Sequence, residues 1–408
     1  MNVVVVNDYG HVNGGAAKVA ISSAIGLAKR GHAVTYITAV APVDAGLEAS
    51  GVRVFCSYQK DILGNSDRLP AAIQGIWNVE TKQLVDEALA SQRSGDVVVH
   101  LHGWTKALSS SVVRQVIRRN IPVICTLHDY FIACPNGGLF NFQTNRICEL
   151  RPMSSQCIAS HCDSRNYAHK IWRVARQGVQ QTVGLMRQVT NFIYVSEPSW
   201  EIIRQHLSPK CRGFFVENPI DAVRGESVDV EKNEGFVYVG RLSKEKGVLL
   251  LARVANQIRE RVTFIGDGYC REEIARLCPR ARVTGWVNAD EVRKALRGAR
   301  ALVVPSLWYE TQGMVVQEAA ALGVPSVVSD SSVTKYAVRD GETGLLFKGG
   351  DENSLREKLE QLGDGKAARS MGKAAYEGFW SIPHTLSFHL DELQNVYEEI
   401  LNFQKKSS

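Results

Sequence analysis

Short, continuously apolar runs of strand length alternate along this chain with stretches of helical periodicity, and that alternation restricts it to folds built on parallel sheets. The first instance is Val3-Val4-Val5-Val6, then a loop at 7–15 carrying Gly10, Gly14 and Gly15, then an apolar-periodic stretch at 16–30 that Gly31 stops. Apolar runs at 33–37, 97–101 and 123–127 follow, interleaved with helical patterns such as 109–119. Strands buried on both faces read as unbroken hydrophobic runs, so the pattern implies a parallel sheet covered by helices.

The pattern pauses in a polar stretch at about 219–234 and restarts with a strand at 235–239 and a helical segment at 247–258. Strands at 262–265, 282–284, 301–304 and 324–328 complete a second set. A chain of 408 residues also exceeds the size at which one core keeps growing. The expectation is an α/β fold of two Rossmann-like doubly wound domains facing a central cleft. Residues 1–218 form the first and 219–382 the second, and a final helix within 383–408 is placed to cross back to the first. Open sheets of this kind bind ligands outside the carboxyl ends of their strands, where the strand order reverses.

Composition narrows the partners. With 45% apolar and 22% charged residues the chain is an ordinary globular one. The run at 3–6 is too short for a secretory core, and no apolar stretch approaches the roughly eighteen residues of a membrane span, so a cytoplasmic location is expected. Nine cysteines without an export signal argue for reduced thiols. The net charge of +6 suits an anionic partner such as a phosphate group or an acidic membrane surface, but no basic run marks a nucleic-acid binder.

Residues 301–325 carry the strongest chemical signal: a strand, a loop through Glu310, and a helix beginning near Gly313. Backbone N–H groups of Gln312, Gly313 and Met314 then sit at a helix N-terminus, where the dipole and open donors seat a diphosphate. Glu310 precedes the helix and Glu318 lies inside it. Eight helical residues rise about 12 Å, close to the span from a ribose to a transferred sugar. Ionised carboxylates accept strong hydrogen bonds from hydroxyls at either end. The stretch 238–247 follows the first strand of the second set, so Arg241 and Lys246 end where a cleft opens and can neutralise a diphosphate. Read singly, these side chains are solvated surface charges; read together they are a site. Gly14 and Gly15 lack side chains where the first helix starts, although their spacing does not match a dinucleotide fingerprint.

Taken together, the Glu310 to Glu318 segment with Gly313 inside it, the stretch Gly240-Arg241-Leu242-Ser243-Lys244-Glu245-Lys246-Gly247 and the Gly14-Gly15 loop resemble the family-4 glycosyltransferases. The resemblance covers most of the chain and implies the GT-B fold and sugar transfer with retention of configuration. It implies that Arg241 and Lys246 contact the donor diphosphate, Glu318 the ribose and Glu310 the sugar. It further implies that His128, in Thr126-Leu127-His128-Asp129-Tyr130, approaches the donor sugar. Gly266 to Gly268 and Gly285-Trp286-Val287 would surround the base, which leaves a UDP-, GDP- or ADP-sugar equally open. His102 ends another strand and is a weaker candidate. With no nucleophile elbow, Walker loop or zinc-protease helix, a metal-free mechanism is expected; the resemblance implies a front-face displacement in which the leaving phosphate helps deprotonate the acceptor. By resemblance, the acceptor is a glycan or a lipid-linked hydroxyl in bacterial surface-polysaccharide or glycolipid assembly. A catalytically silent sugar-nucleotide-binding subunit and a sugar-nucleotide epimerase of the same fold are the alternatives.

Two further features stand apart. Cys134, Cys148, Cys157 and Cys162 crowd a loop-rich insert at 134–162, fitting either a structural zinc site or four separate buried thiols. Beyond it, Arg165, Lys170, Arg173, Arg176 and Arg187 accompany Ile171, Trp172, Val174 and Leu185 on a helical stretch. That mixture suits peripheral contact with the inner membrane surface, a solvated basic face being the alternative.

Overall fold

The computed structural model describes residues 1–92 and 96–407, so Ser408, the last residue of the expected terminal helix, lies outside the described residues. In chain order the strands are β1 (Asn2–Val6), β2 (Ala33–Thr38), β3 (Arg53–Cys56), β4 (Val97–Leu101), β5 (Val123–Thr126), a short pair β6 (Phe140–Asn141) and β7 (Arg146–Ile147), β8 (Asn191–Tyr194), β9 (Arg212–Phe215), β10 (Phe236–Val239), β11 (Val262–Ile265), β12 (Arg282–Val283), β13 (Ala301–Val304), β14 (Ser326–Ser329) and β15 (Gly344–Phe347). The chain divides into two compact units. The first holds Met1–Gly137, Leu150–Pro219 and Leu386–Ser408; the second holds Gly138–Glu149 and Ile220–Thr385.

The first unit is built on a parallel sheet in the order β3-β2-β1-β4-β5-β8-β9. Central β1 pairs with β2 and β4 on its two edges, Val3 lying opposite Val34 and Val98. Val3 to Val6 are fully buried, as a strand covered by helices on both faces requires. The helix Gly15–Lys29 covers one face and is itself covered by the C-terminal helix Leu386–Ser407. Leu390, Leu393, Val396, Tyr397, Ile400 and Leu401 from that last helix join the core of the first unit. Polar ties fix the contact: Ser23 Oγ lies 3.0 Å from His389 Nε2, and Arg30 pairs with Asp391 at 2.6 Å.

The second unit is built on a parallel sheet in the order β12-β11-β10-β13-β14-β15. Its core runs through Phe236, Tyr238, Phe264, Leu302, Val303, Val327 and Phe347. In each sheet the order reverses beside the first strand, between β1 and β4 and between β10 and β13. Those two places are where the loops after neighbouring strands diverge and leave room for a ligand.

Candidate active site

In the second unit the loops after β10 and β13 are pressed together by backbone. Gly247 has φ 69°, and a Cβ there would lie 1.9 Å from the Pro305 carbonyl oxygen, so only glycine lets the two chains approach this closely. Leu307 N–H donates to the Glu245 carbonyl at 2.9 Å across the same seam. Within the β10 loop, Tyr238 Oη donates to the Arg241 carbonyl at 2.8 Å, and Ser243 Oγ donates to Glu245 Oε1 at 2.6 Å. This frame delivers Lys246, at the end of a 3-10 turn over Lys244–Lys246, to Glu310: Nζ lies 2.7 Å from Oε1.

Ser306 Oγ donates to the same Glu310 oxygen at 2.6 Å, and the Lys246 ammonium lies 5.3 Å from the centroid of the Trp308 ring. Both charged side chains are largely covered, at 19% and 13% exposure. Burial pushes the Glu310 carboxyl up. The Lys246 charge and the hydrogen bonds from Lys246 and Ser306 outweigh it and hold the group below its ordinary value. Glu310 is therefore an ionised acceptor, and Lys246 a donor whose remaining hydrogens are free to turn to an anion.

The helix Met314–Leu322 starts directly behind this pair. Its N-cap, Gly313, has φ 80°, and a Cβ there would lie 2.0 Å from Thr334 Cγ2. Gln312 is buried before it, Met314 opens it, and Glu318 sits half-buried one turn in. Arg241 is exposed on the loop after Gly240. On the other side of β10, Gly266 N–H donates to the Gly285 carbonyl at 3.0 Å, which brings the loops after β11 and β12 together, with Trp286 exposed and Val287 half-buried beside it. The structure thus joins Lys246 and Glu310 directly and places the remaining second-unit candidates on the adjoining loops and helix end.

In the first unit, His102 follows β4 and His128 follows β5. His102 Nδ1 lies 2.9 Å from His128 Nε2, with the rings stacked at 5.2 Å. A pocket opens beside them, lined by Trp104, Asp129 and Phe131 among others. Burial, then the neighbouring histidine His389, pushes the His128 imidazole down to about 3, and His102 is likewise held well below its usual range, so both are neutral. Asp8, fully enclosed, accepts backbone N–H groups of Lys106, Ala107 and Leu108 at 2.9–3.0 Å and anchors the loop forming the pocket wall. Gly14 and Gly15 cap and open the first helix, as expected from their position.

Two features differ from the zinc-site and basic-face readings of the sequence. Among the described residues no group of three or more histidine, cysteine, aspartate or glutamate side chains is arranged to hold a metal ion. The physical reason is Lys170, which is fully buried with its Nζ 3.2 Å from Cys162 Sγ and 3.6 Å from Cys157 Sγ; a cation occupies the ground between the thiols. Cys134 Sγ turns to Asn136 Oδ1 at 3.0 Å, and Cys148 belongs to the second unit. The basic face of the helix Tyr167–Thr182 is also smaller than its sequence implies. Lys170 and Arg176 point inward, Arg176 donating to the Thr105 and Pro135 carbonyls, and Arg173 pairs with buried Asp163 at 2.9 Å.

Ser306, Trp308 and Asp8 escaped the sequence reading. Ser306 and Trp308 lie inside the strand-to-helix segment already singled out, and nothing in their spacing marks them until the loop's path is known.

Residues 13–224 match the family model for Glycosyltransferase Family 4, and residues 233–364 match that for Glycosyl transferases group 1. Among curated proteins the chain is 26% identical over 246 residues to an uncharacterized glycosyltransferase of Methanocaldococcus jannaschii, covering 57% of this chain and 57% of that protein. It is 27% identical over 299 residues to glycogen synthase of Mycobacterium tuberculosis, covering 67% and 70%. The chain thus spans little more than half the length of the archaeal relative. Among solved structures it superposes on sucrose-phosphate synthase from Thermosynechococcus elongatus with a TM-score of 0.72 at 18% identity over 98% and 99% of the two chains. Anabaena HepE in complex with UDP gives 0.66 at 16% identity over 98% and 100%. With two Rossmann-like sheets of GT-B type and a family match spanning half its length, the chain belongs to glycosyltransferase family 4.

Proposed function

We propose that this chain is a retaining hexosyltransferase, moving a sugar from a nucleotide-sugar donor to a hydroxyl of a glycan or lipid-linked acceptor in bacterial surface-polysaccharide or glycolipid assembly. The observation that carries the reading is the Lys246–Glu310 pair, held at the strand-order reversal of the second sheet directly before an open helix N-terminus. Lys246, Arg241 and the first N–H groups of that helix take the diphosphate, Glu310 the sugar hydroxyls and Glu318 the ribose. The loops at 266–268 and 285–287 take the base. HepE, a fold neighbour, carries UDP and UDP-glucose in its crystal structures, which supports a nucleoside diphosphate here.

In the step itself the bond from the anomeric carbon to the donor phosphate breaks. The acceptor oxygen bonds that carbon on the same face, and its proton passes to the departing phosphate oxygen. Negative charge grows on the diphosphate, where fixed cations and helix N–H groups stabilise it most.

A lipid-linked acceptor calls for a membrane-facing surface. Leu69 and Ile73, four residues apart on the helix Arg68–Ile76, are 79% and 67% exposed. Tyr58 and Leu63 are exposed just before them, together with Lys60 and Arg68. This mixture of apolar and basic side chains supports transient contact with an anionic bilayer, taking over the role expected of the helix at 167–182. Among the described residues no helix is long and apolar enough to cross a membrane.

The test is product analysis with UDP-, GDP- and ADP-sugars, water standing in for the acceptor. The expected product is free sugar whose first-formed anomer matches that of the donor. The opposite anomer rules out retention, an altered sugar nucleotide identifies an epimerase, and binding without turnover identifies a silent subunit.

A further inference from the structure

Trp308 brings an unused donor to the Lys246–Glu310 pair. The Lys246 ammonium lies 5.3 Å from the centroid of its ring, and its benzo edge, Cε3 and Cζ3, lies 3.5 Å from where a Cβ on Gly138 would stand. The indole is thus held between the β10 loop and the segment Gly138–Glu149, both of the second unit. Its Nε1 is enclosed and has no hydrogen-bond partner among the described residues. It nevertheless lies close to Glu310: burial pushes that carboxyl up, and Trp308, after Lys246 and Ser306, is among the groups that bring it below its ordinary value. An indole N–H can only donate, and a buried donor left without an acceptor costs about 1–3 kcal/mol.

A bound nucleotide changes what Glu310 has for partners. In the free protein Lys246 and Ser306 both donate to Oε1, at 2.7 and 2.6 Å. A diphosphate at the helix N-terminus carries more negative charge than one carboxylate and draws the ammonium toward itself. Glu310, at 13% exposure, then keeps Ser306 alone, and burial disfavours a charge so poorly met. The indole N–H is already beside it and has no other bond to give up. Titratable groups on the neighbouring elements are Tyr238, Arg241 and Glu245 on the β10 side and Glu318 on the helix behind. Glu245 accepts from Ser243, and the Tyr238 phenol stays neutral, pushed up by burial and by the charges of Glu310 and Glu245.

We propose that Trp308 is a positioning residue: as a nucleoside diphosphate takes Lys246, the Trp308 indole N–H becomes the partner of Glu310 and keeps it aimed at the sugar hydroxyls as an acceptor. This role rests on the donor-site reading of the second unit.

Proton–nitrogen correlation spectra of protein labelled with 15N-tryptophan, titrated with UDP, GDP and ADP, test the exchange of partners, the Trp308 signal being the one lost in Trp308→Phe. The nucleotide that binds should move the indole proton downfield, as a newly made hydrogen bond does. Incorporation of 3-benzothienylalanine at Trp308 keeps the ring and replaces only the N–H, by sulfur. It should lower kcat/KM for the matching nucleotide-sugar about tenfold, the worth of a hydrogen bond to a charged group. The acid limb of the pH profile should rise by about one unit, because the carboxylate loses a donor that favours its charged form. A tryptophan that only packs would leave both unchanged. A nucleotide that raises the melting temperature without moving the indole signal overturns the proposal and leaves the donor site standing. So does a signal already at its bound position in the free protein, or a benzothienyl protein with wild-type kcat/KM and pH profile. Should that protein fail to fold, the wild-type titration decides. Binding of none of the three nucleotides removes the donor reading and the proposal with it. An indole shift on binding in a wild type without turnover supports the exchange and removes only the transferase reading.

Discussion

Lys246 and Glu310 neutralise each other at 2.7 Å, yet each keeps hydrogen-bonding capacity for a ligand that brings both phosphate and hydroxyls. Lys246→Ala and Glu310→Ala are each expected to abolish transfer. Each also leaves a covered charge unpaired, so chemical unfolding should show a stability loss of about 1–3 kcal/mol, the 13–19% residual exposure keeping it below the fully buried case. The sign of the pH effect follows from the Glu310 carboxyl lying below its ordinary 4.5 in the folded state. Its contribution is fully present above 4.5 and is lost as the pH falls through the lower folded value, so the gap between wild type and Glu310→Gln should be flat at neutral pH and close only in acid. His128 acts in the same sense over a different window. Folded at about 3 against an ordinary 6.5, it costs stability as the pH drops below 6.5, by up to about 1.4 kcal/mol per pH unit. His128→Asn should flatten that slope, as urea titrations between pH 4 and 7 would show. At this scale Glu310, Lys246 and Gly313 are readable from the chain because a strand, a loop and a helix start lie consecutively in sequence. Ser306 and the His102–His128 contact are not readable, because they depend on side-chain directions that spacing leaves open.

Among the elements, the loops after β10 and β13 depend on Gly247. Gly247→Ala sets a methyl group within 1.9 Å of a carbonyl and forces φ 69° on a residue with a side chain. Turnover should fall even though every charged group remains, and the melting temperature should fall with it. The C-terminal helix is a structural part of the first unit, with Leu393 fully buried in its core. Leu393→Ala should cost about 2–5 kcal/mol in equilibrium unfolding, the range for emptying a leucine site. The helix Tyr167–Thr182 shows why its inner face could not be read from hydropathy. Gln177 and Gln180 donate to the Ile132 carbonyl, Gln180 also to Phe131, and Arg176 to Thr105 and Pro135. An irregular loop offers carbonyls that no strand satisfies, and a helix packed on it must bring polar side chains inward. Those side chains mimic a solvated face in sequence.

For the molecule as a whole, two parallel sheets with buried valine-rich strands were legible because such strands leave continuous apolar runs. Half-exposed strands such as β3 and β9 did not stand out as buried apolar runs, and the insertion of Gly138–Glu149 into the second unit has no local signature at all. The central claim is that the second unit seats the nucleoside diphosphate of a sugar donor. Its most direct test is a thermal shift of wild type and Glu318→Ala against UDP, GDP and ADP. One nucleotide at about a hundredfold over its Kd should stabilise the wild type by about 2.7 kcal/mol, a rise of several degrees, and Glu318→Ala should lose most of that rise. No shift of the wild type with any of the three would contradict the claim.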